Sequence, residues 1–143
     1  MADDTKRFDV SLVTPEGPAF EGEAEMIVVP GAAGEIGVLA RHAPLIATLK
    51  AGSTRVYLDR DSGDVREYAT GPGFFKVEQD RAIALVDDAI LAKDIDDARA
   101  QAQLEEAQRE LERVERGESN ADRWQLEQRI RHAENQLTVS GRG

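Results

Sequence analysis

Chemistry at neutral pH needs particular side chains, and this chain offers few: two histidines and no cysteine. His42 and His132 fall in regions of different character, which argues against a histidine-built metal site. For His42 a hydrogen-bonded structural or interface role is expected. Asp87-Asp88 and the group Asp94, Asp96, Asp97 lack the Asp-x-Asp-x-Asp-Gly loop and distal Glu of a calcium site, so they read as helix caps and solubilising charge. There is no Gly-x-Ser-x-Gly elbow and no Gly-x-x-x-x-Gly-Lys-Ser/Thr phosphate loop. Gly31, Gly34 and Gly37 have neither the spacing nor the following helix of a dinucleotide fingerprint. With 28 carboxylates present, any pair chosen for glycoside cleavage is weakly marked. No catalytic residue and no metal site is therefore expected.

Composition narrows the class further. A chain of 143 residues that is 41% apolar fits one domain, or a small domain with an appendage. A net charge of -10 argues against gripping a phosphate backbone, so nucleic acid is not an expected partner. No apolar run reaches the roughly 18 residues of a membrane span, and Met1-Ala2-Asp3-Asp4-Thr5-Lys6-Arg7 lacks the apolar core of a secretory signal. Direct membrane insertion is not expected.

Character changes near residue 92, where prolines stop and Ala, Glu, Gln and Arg take over. Before it, Phe8, Val10 and Leu12 alternate with polar neighbours as a half-buried strand that stops at Pro15-Glu16-Gly17-Pro18. Glu23 to Val29 reads as a central strand, apolar on both faces through Met26, Ile27, Val28 and Val29. In Gly34 to Leu45 two glycines permit angles or close approaches that a Cβ would forbid, and Pro44 excludes a helix. Thr54 to Leu58 and Val65 to Thr70 form a hairpin about Asp61-Ser62-Gly63-Asp64. Phe74 to Val77 and Arg81 to Val86 form another about Glu78-Gln79-Asp80. Short strands with frequent turns point to an antiparallel β-sandwich over residues 1–92.

Residues 93–143 read as an antiparallel two-helix hairpin. Asp94 or Asp96 can cap the first helix, with Ile95, Ala98, Ala102, Ala107, Leu111 and Val114 near one face. Gly117 ends it. Ser119 and Asp122 start the second, whose stripe is Leu126, Ile130, Ala133 and Leu137. Glu105–Arg109, Glu112–Arg116 and Glu127–Arg131 are spaced for ion pairs. A seam rich in alanine buries little, so the hairpin needs support from the sandwich or from another protein, and two docking choices would suit a switch. Two other readings are a ligand-binding sandwich closed by its helices and a carbohydrate-acting enzyme.

Several stretches, in order, resemble the epsilon subunit of F-type ATP synthases. They are Phe8-Asp9-Val10, Val13-Thr14-Pro15-Glu16-Gly17-Pro18, Gly34-Glu35-Ile36-Gly37-Val38-Leu39 with His42-Ala43-Pro44-Leu45, Gly71-Pro72-Gly73-Phe74-Phe75-Lys76-Val77, and Ile95-Asp96-Asp97-Ala98-Arg99-Ala100. The resemblance covers nearly the whole chain. It implies a non-catalytic central-stalk rotor subunit that couples proton-driven rotation to ATP synthesis on the alpha and beta subunits. Its sandwich would bind the gamma subunit and the c-subunit ring. Its hairpin would extend toward alpha and beta to restrain ATP hydrolysis. The implied location is peripheral to the bacterial plasma membrane, on the cytoplasmic side.

The resemblance also implies site residues. Glu35 and His42 fall in the segment expected to face partners. Ile95, Asp96, Arg99 and Ala100 look like a nucleotide motif, with Arg131 as a further cation. A regulatory ATP is the one cofactor implied, and none is required. Arg99 offers a planar cationic fork and Asp96 an acceptor for an adenine amino group. The pattern departs from strongly binding members at Ile90, where an acidic residue is expected, and at His132 and Gln136, where arginines are.

Overall fold

Strict alternation builds the first strand. In β1 (Phe8–Thr14) the inward residues Phe8, Val10 and Leu12 are all buried, as the two-residue period of a half-buried strand requires. The computed structural model describes residues 6–141; Met1 to Thr5, read above as part of a segment lacking an apolar leader, lie outside them. Contacts divide the chain into two units, Met1–Leu91 and Ala92–Gly143.

In the first unit β1 is followed by β2 (Gly17–Ala24), β3 (Met26–Gly31), β4 (Gly34–Leu39), β5 (Leu45–Leu49) and β6 (Gly52–Asp59). Then come β7 (Asp64–Thr70), β8 (Gly73–Glu78), β9 (Arg81–Val86) and β10 (Ala89–Leu91). The pairing path runs β10-β7-β6-β3-β5-β8-β9-β1-β2, with β4 on the free edge of β3. β3 pairs with β6 over Met26 to Val28 but with β5 only through Gly31 and Leu49. The sheet therefore folds over at β3, making a sandwich whose core joins Ile27, Val29 and Val56 to Leu12, Leu49 and Phe75.

The central placement of β3 agrees with its two-sided apolar pattern: Ile27, Val28 and Val29 are all buried. Three readings need correction. Glu23 to Val29 is not one strand, because the chain bends at Glu25, whose N–H donates to the Tyr57 carbonyl at 2.8 Å. Glu23 and Ala24 belong instead to β2, which pairs with β1. β2 holds only one large apolar residue, Phe20, and begins with Gly17-Pro18, so it reads as a turn although it forms an edge strand. The sandwich is antiparallel as expected, with one exception in the pairing of β1 and β9, which run parallel. They are remote in sequence, so no hairpin fixes their direction. Lastly, only one of the two glycines in the Gly34 to Leu45 segment is required by its backbone. Gly34 has φ 138°, whereas a Cβ on Gly37 would meet nothing nearer than Val28 Cγ2 at 3.9 Å.

The β8–β9 hairpin is tighter than the sequence suggests: Gln79 and Asp80 alone form the turn, at φ 50° and 56°. Positive φ at both central residues matches the turn whose twist suits adjoining strands.

In the second unit a 3₁₀ turn (Ala92–Asp94) leads to α1 (Asp97–Glu115) and α2 (Arg123–Gly141). Asp96 is the cap, its Oδ1 accepting the Arg99 N–H at 3.1 Å. α1 ends in a Schellman turn, in which Glu118 N–H reaches the Arg113 carbonyl at 2.8 Å and Gly117 takes φ 75°. Asp122 Oδ1 caps α2 through Trp124 N–H at 2.9 Å. The helices pack on each other. Arg123 at the start of α2 lies 3.3 Å from Glu115 at the end of α1, and α2 also packs against the 3₁₀ turn that precedes α1, so α2 returns antiparallel.

The seam differs from the expected one. Ala100 and Ala107 are buried and Leu104, Leu111 and Val114 half-buried, a run spaced four and three residues apart, while Ala98 and Ala102 are exposed. Leu126 and Ala133 are buried on α2, as its stripe predicts. Among the expected ion pairs Glu112–Arg116 forms at 3.5 Å, but Glu127 pairs with Arg123 at 3.1 Å instead of with Arg131.

Candidate functional site

Two adjacent phenylalanines cannot both face the interior of one strand. In β8, Phe75 is fully buried and Phe74 is 62% exposed. Phe74 lies directly across from Leu85 of β9, 51% exposed, and Thr48 of β5 lies on its other side. Ile46, two residues from Thr48 on the same face of β5, is 75% exposed. These three make an apolar stripe on the outer face of β5-β8-β9, bordered by a 3.1 Å ion pair between Lys76 and Glu78. Exposed apolar side chains clustered this way mark a contact surface more than scattered ones do. The sequence carried this signal in the Phe74-Phe75 pair, although it did not reveal which ring faces out.

Glu35 opens β4, and its carboxylate lies 3.3 Å from Arg55 Nη2 of β6. It is neither catalytic in setting nor buried. His42 follows Arg41, which has φ 64° and donates its N–H to Asp80 Oδ1 at 2.5 Å. The half-buried His42 ring donates from Nδ1 to the Ala43 carbonyl at 2.6 Å, the hydrogen-bonded setting expected of it. Glu35 and His42 lie at opposite ends of β4, so they do not form one site.

At the start of α1, Ile95 is half-buried, Asp96 and Arg99 are exposed, and Ala100 is buried. Arg131 is exposed on α2. In an antiparallel hairpin the residues level with Arg99 are those near the end of α2, which leaves Arg131 roughly 15 Å away along the axis. The structure does not bring it beside Asp96 and Arg99. His132 and Gln136, standing where arginines are expected, bond to each other across 2.9 Å between Nε2 atoms.

At the other end of the hairpin Glu110 Oε1 accepts the Ser119 hydroxyl at 2.6 Å and Oε2 accepts Arg113 Nη1 at 2.9 Å. The Ser119 hydroxyl is the first cause holding the Glu110 carboxyl below its ordinary pKa, and Arg113 adds to it against partial desolvation. Two open grooves lie on the first unit. One of about 500 Å³ is lined by Lys6, Glu25, Leu39, Ala40, Arg60 and Asp61; the other, about 450 Å³, runs along the small residues from Gly31 to Gly34. Mixed charge in the first and small side chains in the second give neither a converging set of catalytic groups. Among the described residues no cluster of His, Asp and Glu is placed to hold a metal ion, and no helix is long and apolar enough to cross a membrane.

Residues 7–92 match the family model of the ATP synthase delta/epsilon chain β-sandwich domain. The ATP synthase epsilon chain of Halalkalibacterium halodurans is 36% identical over 93% of this chain and 96% of that relative. The chain belongs to the ATP synthase epsilon-chain family. The epsilon chain of Rubrobacter xylanophilus is 34% identical over 99% of this chain and 97% of its own length. These epsilon chains are accessory, not catalytic, subunits, which accounts for a fold with contact surfaces and no reactive cluster. A chain in the cryo-EM structure of Euglena gracilis mitochondrial ATP synthase, OSCP/F1/c-ring, shares the fold at a TM-score of 0.77 and 20% identity, covering 99% of this chain and 85% of that one. A chain in the Tetrahymena thermophila central stalk/c-ring structure does so at 0.58 and 13%, covering 92% and 95%.

Proposed function

We propose that this epsilon-family chain works as the rotor-side stalk subunit, docking on gamma through the outer face of β5-β8-β9 and on the c-subunit ring through the end of the β3–β4 hairpin that carries Glu35. The exposed Phe74–Leu85–Ile46 stripe carries the reading: its apolar area gives a partner something to bury, and Lys76 and Glu78 beside it give register. The chain thereby couples proton-driven rotation to ATP synthesis and is held at the cytoplasmic face of the bacterial plasma membrane by its partners. Its hairpin restrains ATP hydrolysis by extending toward alpha and beta. An alanine-rich seam supports this role, because weak packing keeps a second docking choice within reach.

Deleting residues 93–143 is the test. The truncated chain is expected to assemble with its partners, while ATP hydrolysis by the complex rises severalfold in a steady-state assay. Unchanged hydrolysis in a correctly assembled complex would remove the hairpin's restraining role.

We further propose that ATP binds weakly at the start of α1. Arg99 is the one cation within Ile95 to Ala100, Asp96 already accepts the Arg99 N–H, and α2 contributes an imidazole–amide pair instead of guanidinium groups. Calorimetric titration of the isolated chain is expected to give a Kd of about 1 mM or weaker, with the heat lost in Arg99→Ala. Micromolar binding, or binding that survives Arg99→Ala, would overturn this site.

A further inference from the structure

We infer that the connection between α1 and α2 is a polar clasp whose release opens the hairpin. The inference rests on the restraining role proposed above for its biological meaning, but its structural content stands apart from that role.

Three polar links hold the turn, and of these Arg123–Glu115 joins α1 to α2 directly. Ser119 Oγ donates to Glu110 Oε1 at 2.6 Å, Arg113 Nη2 donates to the Glu118 carbonyl at 3.4 Å, and Arg123 Nη2 lies 3.3 Å from Glu115 Oε1. Ser119 Oγ also accepts the Ala121 N–H at 3.2 Å, tying the hydroxyl into the backbone of the connection. Other charged pairs nearby stay within one helix: Arg113–Glu110, Arg116–Glu112 and Arg123–Glu127. This division gives the clasp its effect. Separating the two helices carries Arg123 away from Glu115 and pulls on Ser119, whose hydroxyl bridges Glu110 of α1 and the Ala121 N–H on the α2 side, whereas pairs inside a helix survive. Only interactions that differ between two states shift the balance between them.

The clasp also sits where it has leverage. The seam it closes sets Ala100, Ala107 and Ala133 among only two larger fully buried apolar residues, Leu126 and Val139, so apolar packing holds the helices less firmly than a leucine-rich seam would. Exposed ion pairs contribute little singly. A hydroxyl held by a charged acceptor is stronger, and the half-buried Ser119 makes that bond on the face of Glu110 opposite its Arg113 contact. Opening breaks the Arg123–Glu115 link outright and strains the Ser119 bridge, whereas the Arg113–Glu118 link stays with the end of α1.

The test uses the full chain, which has no cysteine of its own. A thiol introduced as Ala107→Cys, at a seam position 4% exposed, reacts with a small labelling reagent at a rate proportional to the open fraction. Ser119→Ala and Arg123→Gln are each expected to raise that rate about threefold, and together about tenfold. Ser119→Glu, which sets a second carboxylate against Glu110, should raise it at least as much as Ser119→Ala. Glu112→Gln removes a pair confined to α1 and is expected to leave the rate unchanged. A double variant that labels at the parent rate overturns the clasp, and so does an equal acceleration by Glu112→Gln, which would mean that helix stability alone sets access. If labelling accelerates as expected while hydrolysis by the assembled complex stays the same, the clasp stands and the restraining role fails.

Discussion

Gly73→Ala is expected to destabilise the β unit by about 3 kcal/mol or more and to lower its melting temperature by more than about 10 °C. A Cβ at this position would lie 1.8 Å from the Leu85 carbonyl oxygen and 2.8 Å from Val86 Cα. Both obstacles are backbone atoms of β9, held by the ladder that pairs Gly73 with Val86. No rotamer change relieves such a clash. Either the first rung of β8–β9 opens or β8 shifts outward, and both expose Phe75 and Val86 in the core. Gly71 shows the softer case: its Cβ would meet Asp87 Oδ1 at 1.6 Å, an atom at the end of a side chain that can turn away. Gly71→Ala should therefore cost less than Gly73→Ala. Gly37→Ala, with open space around it, is the control, expected within about 1 kcal/mol of the parent. Thermal and urea unfolding of the three variants checks the order. Equal stability of Gly73→Ala and Gly37→Ala would show that β8 and β9 do not approach so closely.

These glycines show how far a sequence can be read. Gly71-Pro72-Gly73 is visible as a turn, and β8 and β9 are visible as strands. The close approach that makes Gly73 obligatory depends on a neighbour twelve residues later, and local pattern contains no trace of it. β1, β8 and β9 are legible because burial on one face imposes a period of two, and β6 and β7 because the Asp61–Asp64 turn pairs them as a hairpin. β2 is not, since an edge strand with little to bury has no period to display, nor is β10, which is three residues long. In the hairpin, stop and start signals at Asp96, Gly117 and Asp122 were legible because capping is local chemistry. The α1 seam is less legible. Alanine is common on both faces of α1, so its positions do not distinguish the buried side, and Leu104 marks the seam better than Ala98 or Ala102. The clasp is hidden for a similar reason: Ser119 reads as a helix start, whereas its hydroxyl is turned back to α1. Family resemblance named Glu35 and His42 as surface residues, but the apolar stripe required knowing which of two adjacent phenylalanines points outward.

That stripe carries the second large effect. Phe74→Asp is expected to weaken association with the gamma partner by about 100-fold, a loss of about 2.7 kcal/mol. The ring is the largest exposed side chain of the stripe and sits between Leu85 and Thr48, so a partner that covers this face must bury it near the centre of the contact. Aspartate removes the apolar area and brings a carboxylate that has to be dehydrated without a counter-charge. Phe74 contributes little to the core, which is filled by Phe75 on the opposite face, so the isolated chain should keep its fold and melt near the parent temperature. Leu85→Asp should act in the same direction with a smaller effect, because leucine presents less area. Val65→Asp changes an exposed apolar residue on β7, outside the stripe, and is expected to leave this association unchanged. Affinity measured by interferometry against immobilised gamma distinguishes the outcomes. Equal losses for Phe74→Asp and Val65→Asp would mean that added negative charge on an already acidic chain weakens binding from a distance. Loss confined to Phe74 and Leu85 would locate the docking face on β8 and β9.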